Sequence, residues 1–276
     1  MADGQQERRA RGRPRGTTDP QGGTLQSLDR ALGVLTGLAQ HGRSSLTDIS
    51  LRLGVPTATA YRILITLQKH GFAEFDEARQ EWMVGVEAFR TGSAFLRRTT
   101  LVEASQPIMR RLMEETGETA NLAVAQGGDV VFIGQVETQN PIRAFFQPGT
   151  RTPMHASGTG KALLAHMDRA RAEALVRASG LTQHTPNTLT SAEALFADLD
   201  RTRARGWSFD DQERYEGMSC IGAPIFDLSG AAFAGISVSG PTTRFTARKV
   251  EQIGPLVRRA GEDIAAALGA TIRPGG

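Results

Sequence analysis

Four stretches in the carboxyl-terminal half of this sequence hold side chains able to do chemistry. They are His155 with the run Gly158-Thr159-Gly160-Lys161, then Asp210, then Cys220, then the pair Ser237 and Ser239. The glycine-rich run invites a phosphate-loop reading. A Walker A loop needs a Gly five positions before its last Gly and a Ser or Thr after its Lys. Those positions hold His155 and Ala162, so nucleotide hydrolysis is excluded. What remains is a glycine-rich turn opening a helix. The free N–H groups and positive dipole end of such a helix suit a carboxylate, and a plain structural turn is the other reading. Cys220, His155 and Asp210 have the residue types of a cysteine hydrolase. A triad is recognised by geometry, however, and a lone Cys in an apolar strand is usually a buried hydrophobe. The five His show no zinc-ligand spacing with Cys partners, so neither a metal nor a cofactor is expected. Ser237 and Ser239 stand two apart on an expected strand and therefore share a face. They line a binding site there, or they satisfy strand edges.

The elements that must carry these residues alternate in type. A helix is expected from Leu101 to about Thr116, then strands over Thr119–Gln126 and Val130–Val136 with Gly127-Gly128-Asp129 as the hairpin turn. Ile142–Phe146 reads as a third strand. Ser157–Met167 reads as a short helix, with amphipathic helices over Ala170–Ser179 and Ser191–Arg205. Strands follow at Trp207-Ser208-Phe209, Cys220–Phe226 and Ala232–Ser239, the last two joined by the turn Asp227-Leu228-Ser229-Gly230. A closing helix covers Ala247–Leu268. Hairpins mixed with helices make this an α+β domain.

The amino-terminal part has a different character. Leu46, Ile49 and Leu53 form a helical stripe, Ser45 or Thr47 can cap its start, and Gly54 can end it in the left-handed conformation. Pro56 opens a third helix, Thr57 to His70, where its missing N–H costs nothing. Ala60, Ile63, Leu64 and Leu67 form its inward face, and Thr57, Ala58, Tyr61, Arg62 and Lys69 lie outward. Phe72–Phe75 and Trp82–Val84 flank the polar turn Asp76–Glu81 as a short hairpin. Three helices and a hairpin in this order read as a winged helix-turn-helix, which places one helix in a DNA major groove. Arg52, Thr57, Thr59, Tyr61 and Arg62 are its candidate DNA contacts.

The sequence has 276 residues and 39% hydrophobic content, enough for two domains with cores. The net charge of +3 is unevenly spread. Arg8, Arg9, Arg11, Arg13 and Arg15 crowd residues 1–23, a stretch with little to bury that is expected to be disordered. Within it, Arg11-Gly12-Arg13-Pro14-Arg15-Gly16 resembles an AT-hook core, so Arg13 and Arg15 are candidate minor-groove contacts, against a simple phosphate attraction. The winged-helix stretch is nearly balanced in charge. Most of its acids fall in the hairpin, while Arg52, Arg62 and Lys69 lie in or beside the third helix. No run of 18 apolar residues and no amino-terminal apolar segment are present, so neither a membrane span nor a secretory signal is expected. The single cysteine fits a reducing cytoplasm.

Several of these stretches together resemble the IclR family of bacterial regulators. The likeness runs through Ser27–Ala31, Thr59–Leu64 and Leu67–Gly71, then Pro153–Ala165, Arg205–Asp211, Gly217–Pro224 and Gly235–Pro241. It implies a winged helix-turn-helix over residues 24–85, a linker helix over 86–100 and a GAF-like effector-binding domain over 101–270, working as a dimer or a dimer of dimers. In the allantoin- and glyoxylate-responsive branch, matching positions surround a small oxo-acid. The resemblance carries Asp210, Cys220, Ser237 and Ser239 onto that site, with the amides of Gly158 and Thr159, and Met154 and Met218 from the same motifs. The implied partners are an operator DNA and a small carboxylate such as glyoxylate or pyruvate. The acidic turn Asp76–Glu81 departs from a basic wing. A cysteine-dependent hydrolase or a small-molecule carrier is the alternative. The Arg-rich tail and Arg62, which a carrier does not need, speak against it.

Overall fold

A computed structural model of the protein describes residues 24–98 and 101–270. The chain divides into two compact units between Phe95 and Leu96. The expectations for residues 1–23, including Arg13 and Arg15, lie outside the described residues.

The amino-terminal unit holds helices α1 (Gln26–His41), α2 (Leu46–Leu53) and α3 (Thr57–Lys69), strands β1 (Ala73–Asp76) and β2 (Glu81–Val84), and the start of α4 (Val86–Arg98). Ser45 caps α2 by accepting from the Asp48 N–H at 3.2 Å, and Gly54 ends it at φ 62°. Val34, Leu38, Ile49, Ala60, Leu64, Ala73 and Trp82 form one buried cluster. Each fully buried aliphatic side chain there contributes about 1.5–3 kcal/mol. Ser44 and Trp82 exchange two backbone hydrogen bonds, at 3.0 and 2.8 Å, which ties the loop before α2 to the hairpin.

The carboxyl-terminal unit is built on one sheet. Its elements are α5 (Leu101–Thr116), β3 (Thr119–Gln126), β4 (Asp129–Val136), β5 (Arg151–Pro153), α6 (Gly158–His166), α7 (Arg169–Ser179), α8 (Ala192–Arg205), β6 (Ser208–Asp211), β7 (Met218–Phe226), β8 (Ala232–Pro241) and α9 (Ala247–Ala267). The six strands lie in the order β5-β4-β3-β8-β7-β6, every neighbouring pair antiparallel. Antiparallel partners share a face. The row Ala120, Val238 and Ile221 therefore joins Leu122 and Ile236 against α5 and α9 in the larger core. On the other face, the row Thr119, Ser239, Cys220 and Asp210 runs across four strands, beside a second row of Asn121, Ser237, Gly222 and Ser208. This polar face is the one on which α6 sits.

The structure differs from the sequence reading in one strand. Ile142–Phe146 is irregular, and the strand that borders β4 is Arg151–Pro153. Ile142 and Phe145 stay exposed, and Phe146 stacks its ring on Phe132 at 4.6 Å. Phe146 thus meets a side chain of β4, while the backbone of Phe132 bonds to Gly149 and Thr150. The strand expected at Trp207 begins at Ser208 and runs to Asp211, because the Trp207 ring is buried against α9. A Cβ on Gly254 would lie 2.2 Å from that ring.

Candidate functional site

Ser157 caps α6 by accepting from the Gly160 N–H at 3.2 Å, and it sets the helix start directly on β7. The approach is backbone to backbone. A Cβ on Gly222 would fall 2.5 Å from the Gly158 carbonyl carbon, and one on Gly158 would fall 2.7 Å from the Cys220 sulfur. Ser208 Oγ donates to the Gly158 carbonyl at 2.5 Å from the same polar row. Glycine at these positions is what lets helix and sheet close to this distance.

A small cavity opens beside the contact. It is lined by Ser157, Asp210, Arg214, Met218, Cys220 and Ser239, with the Phe132 and Phe146 rings, and measures about 20 Å³. That is room for little more than one water. Ser239 accepts from Asn121 Nδ2 at 3.3 Å, and Asn121 Oδ1 accepts from Gln135 at 3.0 Å, so strands β3 and β4 brace it. The Ser237 hydroxyl lies one row away, fully buried and without a hydrogen-bond partner, with the Cys220 thiol beside it.

Burial pushes the Cys220 thiol up to about 11, and the nearby Asp210 carboxylate adds to the rise. The thiolate is the nucleophile in cysteine chemistry, and this group holds its proton at neutral pH. His155 is engaged elsewhere, with its Nε2 3.0 Å from the Thr182 carbonyl and its ring stacked on His184. Nothing in this arrangement activates Cys220.

Behind the cavity lies a buried charge cluster. Lys161 extends from α6 with its Nζ at 2.5 Å from Glu213, 2.9 Å from Asp198 and 2.6 Å from the Phe209 carbonyl. Burial alone disfavours its ammonium, but Glu213, Asp198 and Asp210 outweigh that, so its pKa is raised. This one buried cation faces three carboxyl groups, of which Asp198 is also paired with Arg201 at 3.0 Å. Burial raises Glu213 to about 8 and Asp210 to about 6; Lys161 pulls both down, while Asp210 and Asp198 push Glu213 up and Asp211 pushes Asp210 up. Glu213 Oε2 has no hydrogen-bond partner, so Lys161 is what satisfies this carboxyl through Oε1. Among the described residues no cluster of His, Cys, Asp or Glu is placed to hold a metal ion.

In the amino-terminal unit the outward side of α3 presents Thr57, Ala58, Tyr61, Arg62 and Lys69, and Arg52 is exposed at the end of α2. Thr57 Oγ1 is 3.0 Å from Ser50 Oγ, which pins the first turn of α3 to α2. Thr59 is half-buried and turns toward α1, where it lines a groove with Leu28, Ala31 and Ile63. In the hairpin turn Asp76 pairs with Arg43 at 2.8 Å and accepts from the Ala78 and Arg79 N–H groups.

Residues 27–77 match the family model for the IclR helix-turn-helix domain. Residues 93–266 match that for the carboxyl-terminal part of the bacterial transcriptional regulator IclR. The chain belongs to the IclR family. It is 48% identical to the HTH-type transcriptional regulator BhcR of Paracoccus denitrificans, over 93% of each chain. It is 40% identical to the transcriptional repressor IclR of Escherichia coli, over 94% of this chain and 96% of that one. Among solved structures, it resembles an IclR homologue from Microbacterium hydrocarbonoxydans complexed with 4-hydroxybenzoate. That likeness has a TM-score of 0.75 and 25% identity, over 89% of this chain and all of the other. The protein is a ligand-responsive transcriptional regulator rather than an enzyme, with a helix-turn-helix ahead of an α+β effector domain. Among the described residues no helix is long and apolar enough to cross a membrane.

Within this IclR-family frame the structure brings Asp210, Cys220, Ser239 and Met218 to one cavity. Four other expected residues do not line it. Met154 is 2% exposed and packs in the core with Val130, Leu163 and Leu164. The Gly158 amide is turned to the Cys220 sulfur, and the Thr159 amide is pressed against Gly222, because α6 sits too close to β7 to leave either open. Ser237 lies in the neighbouring row under α6. Sequence reasoning missed Ser157, Asn121, Lys161, Glu213 and Arg214. A lysine inside the helix that follows a glycine-rich turn was the available signal for Lys161, once a phosphate-loop role had been excluded.

Proposed function

We propose that this regulator senses a small carboxylate, a 2-oxo acid such as glyoxylate, and controls a catabolic operon in response. The observation that carries this reading is the meeting of the Asp210, Cys220 and Ser239 side chains with the capped start of α6 in a cavity of about 20 Å³. Few heavy atoms fit such a space, and every polar group around it can hydrogen-bond. Even a small acid needs more room, so half-exposed Met218 and the neighbouring Tyr215 must give way at the mouth. The family relative complexed with 4-hydroxybenzoate binds an aromatic acid, and a pocket this narrow favours a smaller one here.

DNA reading is assigned to α3, with Arg52, Thr57, Tyr61 and Arg62 as base or phosphate contacts and Thr59 as a minor one. The domains are taken as residues 24–85, a linker over 86–100, and 101–270. A homodimer, alone or paired into a tetramer, presents two such helices to a two-fold operator. Its support is the apolar stripe of Leu25, which precedes α1, with Leu28 and Leu32 on α1, each more than half exposed. Effector binding then biases the dimer between two geometries that differ in DNA affinity.

The test is a gel-shift titration of the full chain on the DNA upstream of its own gene, with glyoxylate, pyruvate and 4-hydroxybenzoate added in turn. Glyoxylate is expected to change operator affinity tenfold or more, and Ser239→Ala to weaken that response about tenfold. A response to 4-hydroxybenzoate alone overturns the small-acid reading. Turnover of any acid that Cys220→Ala abolishes overturns the regulator reading.

A further inference from the structure

Arg214 follows β6 and lines the same cavity as Asp210, Cys220 and Ser239. Its Nη1 donates to Nδ1 of His184. Burial, with Arg214 and His155 beside it, lowers the His184 pKa, so this imidazole is a neutral acceptor and leaves the guanidinium charge uncompensated. Among the described residues Arg214 forms no ion pair with any carboxylate, Asp210 included. Its Nε is shielded from solvent and has no hydrogen-bond partner. An unsatisfied buried N–H on a cation is costly, and that cost is relieved only when an oxygen arrives.

Asp210 lines the cavity in the complementary state. Its Oδ1 accepts from the Glu213 N–H at 2.8 Å, and Lys161 directs its ammonium to Asp198, Glu213 and the Phe209 carbonyl instead. The cavity therefore holds an acceptor and a cation that do not satisfy each other. We propose that Arg214 receives the carboxylate of the effector while Asp210 accepts from a hydroxyl on the adjacent carbon. The pocket then selects 2-hydroxy acids and the hydrates of 2-oxo acids over diacids, whose second carboxylate would face Asp210. This rests on the small-carboxylate reading above and narrows it.

Calorimetric titration of the full chain with glycolate, glyoxylate and oxalate tests the inference, using the wild type, Arg214→Gln and Arg214→Lys, each checked by thermal melting. Glycolate and glyoxylate are expected to bind the wild type at least tenfold more tightly than oxalate. Arg214→Gln should lose at least tenfold for both, and Arg214→Lys, which keeps the charge without the planar fork, should fall between. Oxalate binding as tightly as glycolate overturns the proposal, as does unchanged binding by a folded Arg214→Gln variant, and both leave the small-acid reading standing. Should Arg214→Gln fail to fold, the wild-type ranking of the three acids decides alone. If the wild type binds none of them, the small-acid reading itself falls and takes this inference with it.

Discussion

Lys161 Nζ lies 2.5 Å from Glu213 Oε1 in a site from which solvent is nearly excluded, with both side chains less than a tenth exposed. The pair joins α6 to the segment that follows β6, so the helix whose cap residue Ser157 lines the cavity is anchored beside the strand carrying Asp210. Removing the cation leaves Glu213 buried without a partner, while Asp198 keeps only Arg201 at 3.0 Å. Lys161→Met is expected to lower stability by about 3–5 kcal/mol, measured by urea unfolding. A loss well under 1 kcal/mol would show that the cluster does not anchor the helix.

Stability should also depend on pH through the same groups. Glu213 and Asp210 have folded-state values raised to about 8 and about 6, above their ordinary 4.5 and 3.8. The folded state therefore binds more protons than the unfolded one across that interval, and stability falls as pH rises from about 4 to about 8. Glu213→Gln keeps a hydrogen-bonding group and removes the titration, so it should flatten the decline. An unaltered pH profile in that variant would assign the decline to other groups.

Gly222→Ala tests the contact between α6 and β7. The added Cβ would fall 2.5 Å from the Gly158 carbonyl carbon and 2.6 Å from the Thr159 nitrogen, both backbone atoms that cannot rotate aside. The expected cost is at least about 1–3 kcal/mol, as for overpacking elsewhere, together with loss of effector response. Wild-type stability and response would mean that the helix can lift without consequence.

Arg62 is exposed on α3 and has no carboxylate partner among the described residues. If it reads a base bidentately, Arg62→Ala should weaken operator binding by about 1–3 kcal/mol, read by gel shift, without altering the melting temperature. Unchanged operator affinity would remove Arg62 from the reading set.

Deleting residues 1–23 removes Arg8, Arg9, Arg11, Arg13 and Arg15. If these five meet phosphate, operator binding should weaken and its salt dependence should flatten, the slope falling by as much as about 4. The melting temperature should not move. A salt slope that survives the deletion would limit the tail to a bystander.

Periodicity and punctuation in the sequence locate α2, α3 and the hairpin to within a residue or so, because Ser45, Gly54 and Pro56 act on their own backbone and need no distant partner. The alternation of Ser237 and Ser239 with Ile236 and Val238 marks one polar and one apolar strand face, since that period belongs to a strand wherever it lies. Sequence motifs alone also suffice to recognise the family. Ile142–Phe146 has the composition of a strand without being one. Its Phe146 serves a ring stack on Phe132, and composition cannot distinguish a ladder from a side-chain contact. Only tertiary structure decides which polar residues share the cavity. Met154, Ser157 and Thr159 stand in one matched motif, yet only Ser157 lines the cavity, because Met154 packs into the core and the closeness of α6 to β7 turns Thr159 away, while Arg214 arrives from another place in the chain. The pairing of Lys161 with Glu213, 52 residues apart, is equally invisible in the sequence. Local chemistry is written in neighbouring residues, whereas the burial that sets the charge state of Cys220, Asp210 and Glu213 exists only once the helix has closed on the sheet.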